Sequence, residues 1–129
     1  MKYLKNNKKR KKKFKELRTK SGSTTVELEP SRIMIERLLK IYKKGAYLDI
    51  LQESSELMKQ YPRSSSLLKL MAAANEKLQR YDDAIINYIK LLESDPNNDI
   101  ILLSLGSLYQ QQKNFSMAIQ MFDQAIHLN

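Results

Sequence analysis

A single offset governs this sequence. Set against itself at 34 residues, the chain carries Pro62 onto Pro96, Ala72 onto Gly106, Tyr81 onto Phe115, Ala84 onto Ala118 and Tyr88 onto Phe122. A chain that matches size for size at one step folds as copies of one small unit, stacked so that neighbours bury each other's apolar faces. Within the unit, Tyr81, Ala84, Ile85, Tyr88 and Leu91 stand at i, i+3, i+4, i+7 and i+10, which is one face of a helix. Phe115, Ala118, Ile119, Phe122 and Ala125 repeat that inward face. Another helix precedes each of these, closed by a short turn (Lys77 to Arg80; Gln111 to Asn114), and each unit begins after a proline that cannot continue the previous helix. The spacing predicts three helix-turn-helix units, 31–64, 65–98 and 99–129, giving six helices in antiparallel pairs over residues 31 to 127.

Composition agrees with an all-α chain. There are only three Gly and three Pro, helix formers dominate, and no stretch alternates as a strand would. The chain has no Cys, which excludes disulfides and thiolate chemistry and suits a reducing compartment. The basic start is followed by no apolar run of the kind a signal peptide needs, and no segment approaches a membrane span. A soluble, cytoplasmic protein is expected, with the nucleus open if the source is eukaryotic.

The net charge of +9 is local. Residues 1–20 hold eleven of the 23 basic side chains and one acid, leaving 12 basic against 13 acidic residues in the rest. We therefore expect a disordered basic arm (1–20) and a linker (21–30) containing the small polar run Ser21 to Thr25. Lys8, Lys9, Arg10, Lys11, Lys12, Lys13 and Lys15 form the dense part of the arm. Such a run can neutralise phosphates and release counterions, so a nucleic-acid-associated factor is one reading of the chain, with a solvated tail as its alternative.

Catalytic and metal chemistry find little purchase. The single histidine, His127, stands near a helix end, where a cation favours the dipole, and has no sequence-visible acid or nucleophile beside it. The string Asp95 to Asp99 opens like a calcium loop, but Ile100 replaces its turn glycine and Gly106 its closing glutamate, so a helix-capping turn is expected. Asp82 and Asp83 read as helix-start residues, and isolated glycines cradle no phosphate. No catalytic residue, metal or cofactor is expected.

The third unit carries Leu105-Gly106, Tyr109, Ala118, Phe122 and Ala125; the second keeps Ala72, Ala84, Tyr88 and Asp95-Pro96 but has Asn75 in place of an aromatic. The first is degenerate, with Leu38 for the small residue, Ile50 for the first-turn alanine and Ser54 for the aromatic, though Gly45, Tyr47 and Tyr61-Pro62 remain. This pattern resembles the tetratricopeptide repeat family. The resemblance implies a right-handed superhelix whose first helices line a concave groove for an extended peptide or a helix. Carried across position by position, the lining is Arg32, Ile35, Leu39, Tyr42 and Lys43, then Ser66, Lys69, Ala73, Glu76 and Lys77, then Ile100, Leu103, Ser107, Gln110 and Gln111. With Lys43, Lys69 and Lys77 on a partly apolar floor, the groove suits a segment bearing apolar and acidic side chains. Family members that clamp acidic chaperone tails use Lys, Asn and Arg where this chain has Ile35, Leu39, Ala73, Leu103 and Ser107, so that ligand is not expected.

The function implied is a non-catalytic scaffold or adaptor. The alternatives are the arm-based reading above and the repeat portion of a longer glycosyltransferase- or sulfotransferase-type protein. Met117 and Met121 occupy positions held by Asp49 and Glu53 in the first unit and Asp83 and Asn87 in the second. These positions are expected to face solvent, so the two methionines are expected to form an end-face contact for a further domain, a partner or a second copy where no capping helix follows.

Overall fold

The computed structural model describes residues 28–128. Among them are six helices and no strand: α1 (Arg32–Lys43), α2 (Tyr47–Met58), α3 (Ser65–Lys77), α4 (Tyr81–Ser94), α5 (Asp99–Gln111) and α6 (Phe115–His127). They form the three expected pairs. The basic arm, including Lys8 to Lys13 and Lys15, lies outside the described residues, as does most of the linker.

Local chemistry sets the helix ends. Ser31, Ser64 and Asn98 cap α1, α3 and α5 by accepting from the backbone N–H groups of Met34, Leu67 and Ile101, and Asn114 does the same for α6. Each such cap stabilises a helix by about 1 kcal/mol. The capping role of Asn98, which also donates to Asp95 at 2.9 Å, is the turn expected of the Asp95 to Asp99 string. Inside every pair the turn passes through one residue of positive φ: Gly45 (81°), Gln79 (60°) and Lys113 (64°). These three stand 34 residues apart. Only the first unit uses glycine, and Gln79 and Lys113 hold the left-handed conformation at roughly 1 kcal/mol each.

Two apolar clusters fill the stack. Leu38, Ile50, Leu67, Leu70 and Ala74 join α1, α2 and α3, while Leu68, Ile85, Leu102, Leu105, Met121 and Ala125 belong to the cluster that joins α3 to α6. Helix α3 therefore faces backward through Leu67, Leu70 and Ala74 and forward through Leu68.

How closely the two helices of a pair approach follows one position in the repeat. Packing is most extensive between α5 and α6, where that position is Gly106, less extensive around Ala72 in α3, and least around Leu38 in α1. A Cβ on Gly106 would meet the Phe122 ring at 2.5 Å, closer than non-bonded carbons can stand. The residue 16 positions later is small where the first is large and aromatic where the first is small: Ser54 with Leu38, Tyr88 with Ala72 and Phe122 with Gly106. Bulk is thus exchanged between two positions, with Leu38 and Ser54 both fully buried in the first unit. The Ser54 hydroxyl has no hydrogen-bond partner among the described residues.

A second position, repeated at 53, 87 and 121, corrects one expectation. Asn87 does not face solvent: it is buried and accepts at 2.9 Å from the amide of Asn75, which is also buried. In the first unit Glu53 is half-buried and pairs with Arg37 at 2.8 Å. In the third, Met121 lies in the core with Tyr109 packed against the same cluster. The Asn75–Asn87 pair thus takes the places that Tyr109 and Met121 hold one unit later.

Candidate protein-binding groove

Helices α1 and α3 lie side by side, and their outward stripes enclose an open hollow of about 350 Å³. Ile35, Leu39 and Tyr42 line it from α1; Ser66, Lys69, Leu70 and Ala73 line it from α3. Six of these seven are on the lining inferred from the sequence. Leu70 is the addition, a core residue whose edge reaches the hollow floor. The wall is mainly aliphatic, with Lys69 exposed at its edge.

The other expected groove residues are not gathered into this hollow. Arg32 is exposed and paired with Glu36 on its own helix at 3.0 Å. Lys43 and Lys77 are exposed in the last turns of α1 and α3. Leu103, Ser107, Gln110 and Gln111 are exposed on α5.

Next to the hollow the groove contains a polar element that the sequence did not announce. Tyr88, expected on the apolar face of its helix, donates its hydroxyl to Glu76 at 3.3 Å. Burial pushes the Tyr88 phenol up to about 12, helped by the Glu76 carboxylate, with the Ser104 hydroxyl acting in the opposite direction. Burial also raises the Glu76 carboxyl above its ordinary value, against the lowering effects of the Tyr88 hydrogen bond and of Lys77. The lysines therefore share the groove with a half-buried acid. The signal that distinguishes Tyr88 from Phe122, its equivalent one unit later, is the hydroxyl itself.

The hollow's edge is braced from outside the repeats. Glu29 accepts from the Ser64 and Ser65 hydroxyls and from the backbone N–H of Ser65 at 2.8 Å and of Ser66 at 3.3 Å. Its carboxylate thus sits at the positive end of α3. Burial alone would raise the Glu29 carboxyl; the serine donors outweigh it and hold it below its ordinary value of 4.5. A depressed folded pKa contributes stability that is present above the unfolded value and lost as pH falls through the folded one. Glu29→Gln should therefore lower stability by about 1 kcal/mol near neutrality, the usual size of a lost helix cap. The difference from wild type should vanish as pH drops well below 4.5, which denaturant midpoints measured across that range will show. A difference independent of pH would rule out this role.

The end face is also corrected. Met121 is only 8% exposed and belongs to the core, and Met117 is half-buried against it, so neither forms the expected solvent-facing contact. Two residues assigned to the inward face, Phe115 and Ile119, are instead exposed on α6, together with Ile126. Helix α6 keeps the orientation of α2 and α4, whose equivalent residues Glu53 and Asn87 also reach the first helix of their pair, so Met121 points to α5.

His127 Nδ1 lies 2.7 Å from the Asp123 carbonyl oxygen, one turn back on its own helix. Asp82 and Asp83 open α4, and Asp82 accepts from Gln112 of the α5–α6 turn. No cluster of metal-ligating side chains occurs among the described residues, and no helix there is long and apolar enough to cross a membrane.

Comparison with known proteins assigns the repeat. Residues 70–98 and 101–129 each match the family profile described as the tetratricopeptide repeat. The first pair, with its Leu38–Ser54 exchange and sparse packing, lies before the matched region. No curated protein matches the chain.

Proposed function

We propose, on the premise that residues 70–98 and 101–129 are tetratricopeptide repeats, that the chain is a non-catalytic adaptor holding a partner polypeptide along the first helices of its pairs. The observation that carries this reading is the α1–α3 hollow, where Ile35, Leu39, Tyr42 and Ala73 leave apolar surface open beside Lys69. An apolar side chain of the partner enters the hollow, and an acidic group near it meets Lys69, with Lys43 and Lys77 adding to the field. The Glu76 carboxylate repels a uniformly acidic segment, so the partner alternates apolar and acidic residues rather than presenting a block of acids.

Two variants test this. Ala73→Arg fills the hollow, and reversing Lys43, Lys69 and Lys77 to Glu inverts its rim; all four side chains lie on the solvent side of their helices, so folding should persist. Each variant should weaken binding of a partner isolated from native cells by tenfold or more, equivalent to about 1.4 kcal/mol. Unchanged affinity in both would place the binding surface elsewhere.

A further inference from the structure

The hollow between α1 and α3 meets its own chain at one end. Glu29 holds the first turn of α3 through Ser64, Ser65 and Ser66, and Ser66 is also part of the hollow's wall. Pro30 is buried and Ser31 caps α1, so the chain enters the repeats from a fixed point on the hollow's rim. Immediately before that point the sequence runs Val26, Glu27, Leu28. With Glu29 these residues alternate apolar and acidic side chains, the chemistry proposed above for the groove's partner. Leu28 is 63% exposed and the backbone bends at Leu28 and Glu29, while Val26 and Glu27 precede the described residues.

Reach and charge select this segment as the hollow's occupant. Extended chain advances about 3.3 Å per residue, which places Glu27 roughly 7 Å and Val26 roughly 10 Å from Glu29. At 1.5 Å per residue along α3, Lys69 stands about 6 Å and Ala73 about 12 Å beyond Ser65. Running antiparallel to α3, the segment brings Glu27 level with Lys69 and Val26 between Leu70 and Ala73, over the apolar floor. The basic arm suits the site poorly: residues 1–20 carry eleven basic side chains against one acid, and Lys43, Lys69 and Lys77 already stand along the groove. Tethering supplies an effective concentration in the millimolar range, so a contact too weak to hold a free peptide can hold this one.

We propose that Val26, Glu27 and Leu28 form a strap, hinged at Glu29, that closes over the α1–α3 hollow as an internal ligand, with Val26 on the apolar floor and Glu27 on Lys69. The strap regulates the site of the proposed function and rests on that reading for its consequence, which is that a partner must displace it. A strap closed about two-thirds of the time weakens partner binding threefold.

The chain has no cysteine, so an introduced disulfide reports closure. Val26→Cys with Ala73→Cys should form an intramolecular disulfide under mild oxidation, since Cα atoms within about 7 Å can be bridged. Val26→Cys with Ile33→Cys, an exposed position in the first turn of α1 outside the hollow, should form it at least threefold more slowly. Lys69→Glu should slow the Ala73 reaction at least threefold, and adding Glu27→Lys should restore it. Val26→Ser with Glu27→Ser, in the otherwise unaltered chain, should raise the affinity for a partner isolated from native cells at least threefold. The proposal is overturned by equal rates at Ala73 and Ile33, by rates indifferent to both charge changes, or by disulfides formed only between chains, since the occupant would then be a second copy. Unchanged affinity of the strap variant for a partner that Ala73→Arg does weaken would overturn it as well. A partner indifferent to Ala73→Arg would sink the groove reading instead, and the disulfide rates would still decide whether the strap closes.

Discussion

Gly106→Leu should destabilise the protein by about 3 kcal/mol, the upper end for overpacking a core, because even a Cβ at this position meets the Phe122 ring at 2.5 Å. Phe122→Ser alone should cost roughly 2 kcal/mol through loss of a half-buried ring. The double variant reproduces the combination that the first unit already uses, Leu38 with Ser54, both fully buried. It should therefore be less destabilised than the sum of the two by at least about 1 kcal/mol. Chemical denaturation of the four proteins yields the coupling directly. Additive losses would mean that bulk is not exchanged between these positions, and that the looser packing of α1 on α2 has another origin.

The second large effect lies at the buried amide pair. Asn87→Met leaves the Asn75 amide, 4% exposed, with no acceptor, and should cost about 2 kcal/mol, the penalty for stranding a buried donor. Adding Asn75→Tyr installs the Tyr109 and Met121 combination of the following unit and should bring stability back to within about 1 kcal/mol of wild type, since replacing both partners by residues that pack removes the unmet hydrogen bond. A double variant weaker than the single one would show that the second unit cannot accept its neighbour's solution.

Both predictions rest on internal repetition, which also explains what the sequence did and did not disclose. The six helices and their pairing were legible because the offset carries both the apolar face and the helix stops. Which side of α6 faces inward was not, because α6 is apolar on nearly every side. Phe115, Ile119 and Phe122 compete with Met117 and Met121 for the inward face, and hydrophobic periodicity alone cannot choose between them. The deciding clue was the company each position keeps. Position 121 aligns with Asn87 and Glu53, both of which reach across to the preceding helix, through Asn75 and Arg37. Reading Asn87 as solvent-facing from its polarity missed that a polar residue can face inward when its partner is polar too. In the groove, the α1–α3 lining was legible from helix register, whereas the Tyr88–Glu76 contact was not, since it joins a first helix to the second helix of its own pair at a distance no periodicity encodes.

Site-specific photo-crosslinking to a partner in native cells tests whether the first helices hold it, with the reactive group placed in turn at Leu39, Ala73 and Leu103 on the first helices and at Asp49 and Asp83 on the second helices. A partner held in the groove gives crosslinks to one polypeptide from Leu39 and Ala73, a weaker one from Leu103, none from Asp49 or Asp83, and loss of all of them when Lys43, Lys69 and Lys77 are reversed to Glu. Crosslinks confined to Asp49 and Asp83, or undiminished by the charge reversal, would contradict it.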